Sequence, residues 1–361
     1  MQSLGAQQSA RVCFFGDYDP AHNRTKMLIE GLRARSVSVI VCHTTIRTKK
    51  KYLHLWRQFF KMRSECDVVL LGFSDDRFMP LAARIITFGK KLVWDTQFSV
   101  YDNWVFDRKL VTQGSLKAGY HWFLDWLNCR LVDKIILDFD AHINYFETTF
   151  GVSPRRCIRV NGSADTSVFF PLPKPISDGF FRVEYHGKYI PVQGVDTIVR
   201  AAKLIEYDPM VKFTLIGDGQ DYKKIRALAE ELDVKNIEFL PFMPLKNLPK
   251  YIAEADVCMG MVGDIPRVER QIPNKLYEAA AMGRFAINAD SAAVREIFVD
   301  GEDVILMKRG DAQDLVNKIL MLKNNPELTE KLSRGALKKF WEKCSPECVG
   351  DQLCGGIQNR R

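Results

Sequence analysis

The segment Arg267-Val-Glu-Arg-Gln-Ile-Pro-Asn-Lys-Leu-Tyr-Glu-Ala-Ala-Ala-Met-Gly283 carries the residue types needed to hold a nucleotide. A loop with two arginines, Arg267 and Arg270, runs through Pro273, Asn274 and Lys275 into a helix, and Glu278 sits one turn inside it. The first turn of a helix has backbone N–H groups without intrahelical partners, and the aligned peptide dipoles make that end attractive to anions. Asn274 and Lys275 at this start suit a phosphate, and the Glu278 carboxylate can accept two hydrogen bonds from a vicinal diol such as a ribose. A nucleoside diphosphate presents both groups. An ordinary amphipathic helix with a proline near its start is the plainer reading of the same residues.

Strands and helices must position this segment, and they alternate along the whole chain. Arg11–Gly16, Ser36–Cys42, Asp67–Gly72, Lys91–Asp95 and Asp133–Asp138 read as short buried strands, with helical patterns between them. The pattern pauses at Val160–Asp165 and at Phe170-Pro-Leu-Pro-Lys-Pro175, where proline density predicts a stiff linker. It restarts at Phe181–Gly187 and continues through Lys212–Gly217, Ile237–Leu240, Ala255–Gly260 and Arg284–Asn288. Apolar runs of this kind predict parallel sheets covered on both faces. The expected class is α/β, with two Rossmann-like doubly wound domains facing across a cleft, 1–170 and 171–345, followed by a tail at 346–361. Helices near 311–323 and 326–343 close the second domain, the last of them expected to return to the first. Ligands of such sheets bind beyond the carboxyl ends of the strands. Gly217-Asp218-Gly219 lies at such an end, where glycine allows close backbone approach to a nucleotide or simply a turn.

The 267–283 segment resembles the donor site of retaining glycosyltransferase family 4, an assembly of two Rossmann-like domains called GT-B. That family shows a glutamate, seven residues, then a second glutamate; Glu278 matches the second, while eight positions earlier stands Arg270, with Glu269 beside it. His186-Gly-Lys-Tyr-Ile-Pro-Val-Gln-Gly194 looks like the strand and loop that set a basic residue on the donor diphosphate. The resemblance gives that place to Lys188, with Gly187 before it, and puts Gln193 where the family has a second cation. Arg267, Arg270 or Lys275 then compensates for the missing charge. Gly16-Asp-Tyr-Asp-Pro20 looks like the family's first loop, near donor and acceptor, and Trp94–Asn103 like a strand-end loop that often carries a histidine. None is present between Asp95 and Asp107, so Asp95, Ser99 or Asp102 takes over the orienting of an acceptor hydroxyl, or Asp95 only caps its loop. The resemblance covers roughly 11–345.

The implied activity is transfer of a sugar from a nucleotide-diphospho-sugar, UDP- or GDP-linked, to a glycan, lipid-linked or other hydroxyl acceptor with retention of configuration. No tightly bound cofactor and no metal is expected, since GT-B enzymes generally work without a bound metal. Asp17/Asp19 and Asp138/Asp140 fall outside the donor domain. Lys188, Asp95 and Arg267 are the candidate catalytic residues. Gly16, Gly187, Lys188, Gln193, Gly217, Asp218, Gly219, Arg270, Pro273, Asn274, Lys275 and Glu278 are the candidate donor-binding set. An epimerase on the same fold and a non-catalytic nucleotide-binding subunit are the alternatives.

The formal net charge of +8 suits anionic partners without choosing among them. No compact nucleic-acid recognition motif appears, so nucleic acid is not expected as a partner. Lys49–Arg63 is basic and aromatic. It either packs Trp56 and the phenylalanines on the sheet, the favoured reading, or lies on an anionic membrane. Nine cysteines without metal-type spacing, no apolar run of membrane-spanning length, and an N-terminus without a signal pattern predict a cytoplasmic enzyme. On sequence alone, Glu278→Ala is expected to weaken nucleotide binding and spare the fold.

Overall fold

The computed structural model describes residues 11–174, 176 and 178–358. The N-terminal stretch 1–10, on which the signal reading rests, and Pro175 of the linker lie outside the described residues. The chain divides into two compact units.

The described part of unit 1 consists of residues 11–101, 114–161 and 346–358. Its sheet has six strands, β1 Val12–Gly16, β2 Val39–His43, β3 Val68–Leu71, β4 Lys91–Asp95, β5 Lys134–Leu137 and β6 Cys157–Arg159. They run parallel in the order β2-β1-β3-β4-β5-β6. All residues of β1 and β3 are buried, which is why they read as unbroken apolar runs without alternation. Helices Lys50–Met62, Met79–Ile86, Leu116–Leu131 and Asp140–Phe150 cover one face through Leu55, Phe59, Met79, Ala83, Cys129 and Phe146. Cys13, Cys42 and Cys66 fill the same core as small apolar groups.

Helix Asn23–Ala34 covers the other face together with Pro346–Gln358, a helix where the sequence reading had a tail. Val349, Leu353 and Ile357 enter the core there, which requires close approach to the first helix. Gly31 and Gly350 permit it: a β-carbon on Gly350 would sit 2.2 Å from the Gly31 carbonyl oxygen.

Unit 2 consists of residues 102–113 and 162–345, without the undescribed 175 and 177. Its strands are β7 Phe181–Lys188, β8 Val211–Asp218, β9 Ile237–Leu240, β10 Val257–Met259, β11 Ala286–Ala289 and β12 Ile305–Met307. All are parallel in the order β12-β11-β10-β7-β8-β9. Strand order reverses between β7 and β10, and in unit 1 between β1 and β3; these switch points are where open α/β sheets bind ligands. Strands β6 and β12, of three residues each, lie outside the runs read from the sequence. Helices Ala312–Lys323 and Pro326–Lys339 both belong to unit 2.

Gly350→Ala should lower the stability of unit 1 by about 1–3 kcal/mol by forcing two helices apart. Gly355→Ala, on the same helix but with nothing within 4 Å of the added carbon, should be neutral or raise stability by up to about 1 kcal/mol. Urea unfolding of the two variants checks the contrast, and equal destabilisation would remove the special role of Gly350.

Candidate functional site

Strand β7 is central in its sheet, yet it carries Glu184 and His186 among apolar neighbours. Two residues apart on an extended strand, they share a face, and the His186 Nδ1 lies 2.8 Å from Glu184 Oε1. The opposite ring nitrogen, Nε2, lies 2.7 Å from Glu278 Oε2 on helix Asn274–Ala281. All three are buried. Burial alone would lower the histidine's pKa, but Glu184 and Glu278 outweigh it and hold the ring protonated up to about 9. A protonated imidazole donates from both nitrogens, which is what two flanking carboxylates require.

Lys275 begins the same helix and is also buried. Its ammonium donates to Gln193 Oε1 and stands 4.0 Å from the centre of the Tyr185 ring. Burial pushes it down to about 7, against the pull of Glu184 and Glu278. A β-carbon on Gly187 would come within 3.1 Å of this ammonium, so glycine at the strand end leaves its space open. Gly217 has a packing reason of its own, because a β-carbon there would lie 1.9 Å from the Gly187 carbonyl oxygen. The Asp218 side chain accepts from the Gly219 amide at 2.7 Å. Lys188 ends β7 in an exposed position and, among the described residues, enters no ion pair. Pro273 caps the helix without a side-chain hydrogen bond, and Asn274 is exposed at its start.

The two arginines of the loop are committed elsewhere within unit 2. Arg267 is buried and donates to Asp107 Oδ2 at 2.9 Å and to Asn103 Oδ1 at 2.7 Å. Arg270 donates to Asp102 Oδ1 at 2.5 Å. The segment 102–113 thus straps the loop and supplies carboxylates for both guanidinium groups, so neither adds unmatched charge beside Lys275. Asp107 also accepts from the Val192 amide at 3.3 Å. Glu269 accepts from the Ala292 amide at 2.9 Å and pairs with Arg309 at 2.8 Å.

Asp95 and Gly16 belong to unit 1, at the ends of β4 and β1. Arg24 donates to Asp95 Oδ1 at 2.8 Å and approaches Asp138 Oδ1 at 2.6 Å, joining two strand ends. Ser99 donates to Asp125 Oδ2 at 2.7 Å. Asp17 holds Lys51 and Asp140 holds Arg159, so each aspartate pair has a member bound to a cation.

Sequence reasoning gathered Gly187, Lys188, Gln193, Gly217, Asp218, Gly219, Lys275 and Glu278 around the ends of β7 and β8 and helix Asn274–Ala281, and the structure places them there. It gave no role to Glu184, His186 or Asp107, and it offered Asp102 for orienting an acceptor hydroxyl, whereas Asp102 pairs with Arg270. Two ionisable groups sharing one face of an otherwise apolar strand were the available signal for the first two, since buried charges are paired.

Residues 181–325 match the family described as Glycosyl transferases group 1. An uncharacterized glycosyltransferase of Methanocaldococcus jannaschii is 31% identical over 162 residues, 44% of each chain. A D-inositol 3-phosphate glycosyltransferase of Thermomonospora curvata is 23% identical over 230 residues, 57% of this chain and 52% of that one. The chain spans about half the length of these curated relatives. Among solved structures, Anabaena HepE in complex with UDP and glucose aligns with a TM-score of 0.70 at 16% identity, covering 97% of this chain and 100% of that one. Sucrose-phosphate synthase of Thermosynechococcus elongatus aligns with a TM-score of 0.75 at 14% identity over 96% and 98%. The fold is GT-B.

Removing Glu278 entirely leaves a buried imidazolium half-matched, so Glu278→Ala should destabilise the protein by about 3–5 kcal/mol. This corrects the expectation that the substitution spares the fold. Glu278→Gln keeps the shape and an acceptor for His186 and should retain most of the stability. Denaturant melts of the two variants decide it, and equal curves would deny the buried pairing.

The two shifted cations have opposite consequences for stability against pH. His186 has a folded pKa raised to about 9 from its ordinary 6.5, so its contribution is complete below 6.5 and is lost as pH rises through about 9. Lys275 is depressed from 10.5 to about 7, so its burial penalty is full below 7 and fades toward 10.5. Between 7 and 9 the slopes oppose each other. Lys275→Met should therefore unmask a melting temperature that falls from pH 6.5 to 9, and a flat profile would mean that His186 is neutral.

Proposed function

We propose that the chain is a glycosyltransferase that moves a sugar from a UDP- or GDP-linked donor to a hydroxyl acceptor, glycan or lipid-linked, with retention of anomeric configuration. The observation that carries this reading is that the 181–325 match to glycosyl transferases group 1 encloses β7, β8 and helix Asn274–Ala281, whose ends converge on one buried, charge-bearing site. Unit 2 takes the donor side and unit 1 the acceptor side.

Each residue then has a physical task. The amide groups at the start of helix Asn274–Ala281, with Lys188 and Lys275, receive the diphosphate. Phosphate beside Lys275 favours its protonated form, so donor binding near neutral pH draws a proton onto that amine. Glu278 gives one oxygen to His186 and keeps Oε1 for a ribose hydroxyl. Negative charge develops on the departing diphosphate, where fixed cations and N–H dipoles stabilise it without reorganisation. Asp95 Oδ2, buried and without a described hydrogen-bond partner, orients the acceptor hydroxyl. Arg267 and Arg270 act by shaping the loop, since Asp107 and Asp102 already match their charges. A non-catalytic nucleotide-binding subunit is the second reading, favoured by Gln193 standing where the family has a cation.

A thermal-shift panel of UDP-, GDP-, ADP- and dTDP-sugars tests the donor assignment, because a ligand of the folded state raises its melting temperature. One nucleotide should stabilise wild type and lose at least about tenfold in affinity with Glu278→Gln, the equivalent of one good hydrogen bond to a charged group. Lys188→Ala should depress turnover about tenfold or more at unchanged melting temperature. NMR of the product anomer reads retention. No shift with any donor would turn the assignment toward the binding subunit or reject it.

A further inference from the structure

The basic helix Lys50–Met62 carries two apolar stripes. Leu55 and Phe59 enter the core of unit 1. Leu53, Trp56 and Phe60, at helical spacing on another side, remain exposed at 51%, 48% and 69%. The favoured sequence reading, in which Trp56 and the phenylalanines pack on the sheet, therefore holds for Phe59 and fails for Trp56 and Phe60. Trp56 and Phe60 lie side by side, their ring centres 6.0 Å apart. The neighbouring helix Met79–Ile86 repeats the arrangement, burying Met79, Ala83 and Ile86 while Leu81 and Ile85 face outward, with Ile85 68% exposed. Phe88 follows at 72% exposure, and Arg63 ties its carbonyl to the end of the first helix at 2.5 Å. Five large apolar side chains on two adjacent helices, with Phe88 just past the second, thus form a broad outward layer where single exposed residues would need no explanation.

Charge selects the occupant. Residues 44–64 and 77–90 contain no aspartate or glutamate. Lys51 is engaged with Asp17 and Asp76, and Arg84 with Asp133. Lys49, Lys50, Arg57 and Lys61 are exposed beside the apolar stripe. Cations flanking an aromatic and aliphatic face match an interface of anionic headgroups over acyl chains. Among the described residues no helix is long and apolar enough to cross a membrane, so the contact is a surface one.

We infer that helices Lys50–Met62 and Met79–Ile86 form a membrane-docking face that seats Trp56, Phe60 and Ile85 in the interface of an anionic bilayer. The inference is independent of the donor assignment, and its test needs no nucleotide. Flotation of the full chain with phosphatidylcholine vesicles containing phosphatidylglycerol, at low and high salt, reads it directly. Wild type should float with these vesicles at low salt and much less with phosphatidylcholine alone. Removing Lys61 or Arg57 should weaken binding roughly fivefold each. The double variant Phe60→Glu/Ile85→Glu should lose at least about tenfold in binding at unchanged melting temperature, since both side chains are already exposed. The blue shift of tryptophan emission on vesicle binding should shrink in Trp56→Phe, a variant that still floats. Absence of flotation at low salt would overturn the inference, as would flotation indifferent to the double variant or a blue shift indifferent to Trp56→Phe. A concentration-dependent dimer abolished by the double variant, without vesicle binding, would assign the face to a second copy instead.

Discussion

The imidazole of His186, held between Glu184 on its own strand and Glu278 on a separate helix, is a charge arrangement with almost no water to share the solvation. Each carboxylate needs the ring protonated, and the ring needs both carboxylates to stay protonated while buried. The helix that carries Glu278 is thereby fixed in rotation and height against β7. That fixing also determines where Lys275 sits, because it is one turn earlier on the same helix. Its ammonium lies where Gly187 has left room, close to neutrality and within the influence of the same two carboxylates. The site is a coupled set in which moving one member retunes the others.

The arginine-bearing loop obeys a different constraint. Arg267 is buried and Arg270 nearly so, and a guanidinium cannot shed its proton to escape the penalty. Each is given a carboxylate from the segment 102–113. The result is a loop rigid in shape and balanced in charge beside a site whose remaining cations, Lys188 and Lys275, carry no such fixed counterion at close range. Reading positive charge from the sequence counts all four alike; only the three-dimensional pairing separates those that shape from those left to attract an anion.

Part of the fold was legible because parallel strands buried on both faces leave continuous apolar runs, as in β1 and β3, and β4, β7 and β9 also stand close to where strands were read. The second sheet's strand-end glycines and the Pro273-Asn274-Lys275 helix start were legible for a related reason, since local backbone demands select the residue type. The helix Pro346–Gln358 was missed because Gly350, Gly355 and Gly356 within it weaken a helical signal. Gly350 is there for contact with Gly31, more than three hundred residues away, a requirement invisible to local periodicity. The pairing of Asp102 and Asp107 with arginines was hidden likewise: the partners are over 150 residues distant, and nothing local marks either aspartate for a guanidinium. Trp56 and the phenylalanines of Lys50–Met62 were read as packing on the sheet together, because aromatic content alone does not say which stripe meets it.

The strap formed by residues 102–113 also means that the backbone passes between the units four times, at 101/102, 113/114, 161/162 and 345/346. Neither unit is a single continuous stretch of chain. During synthesis the first six strands emerge well before the helix Pro346–Gln358 that covers one of their faces, so unit 1 waits for nearly the whole chain before its core can close. Unit 2 in turn draws its neutralising aspartates from a stretch made long before its sheet exists. A cut at the apparent boundary near residue 161 would therefore yield two fragments that each lack a piece held by the other. Complementation between such fragments, in place of autonomous folding of either, is the behaviour this connectivity dictates.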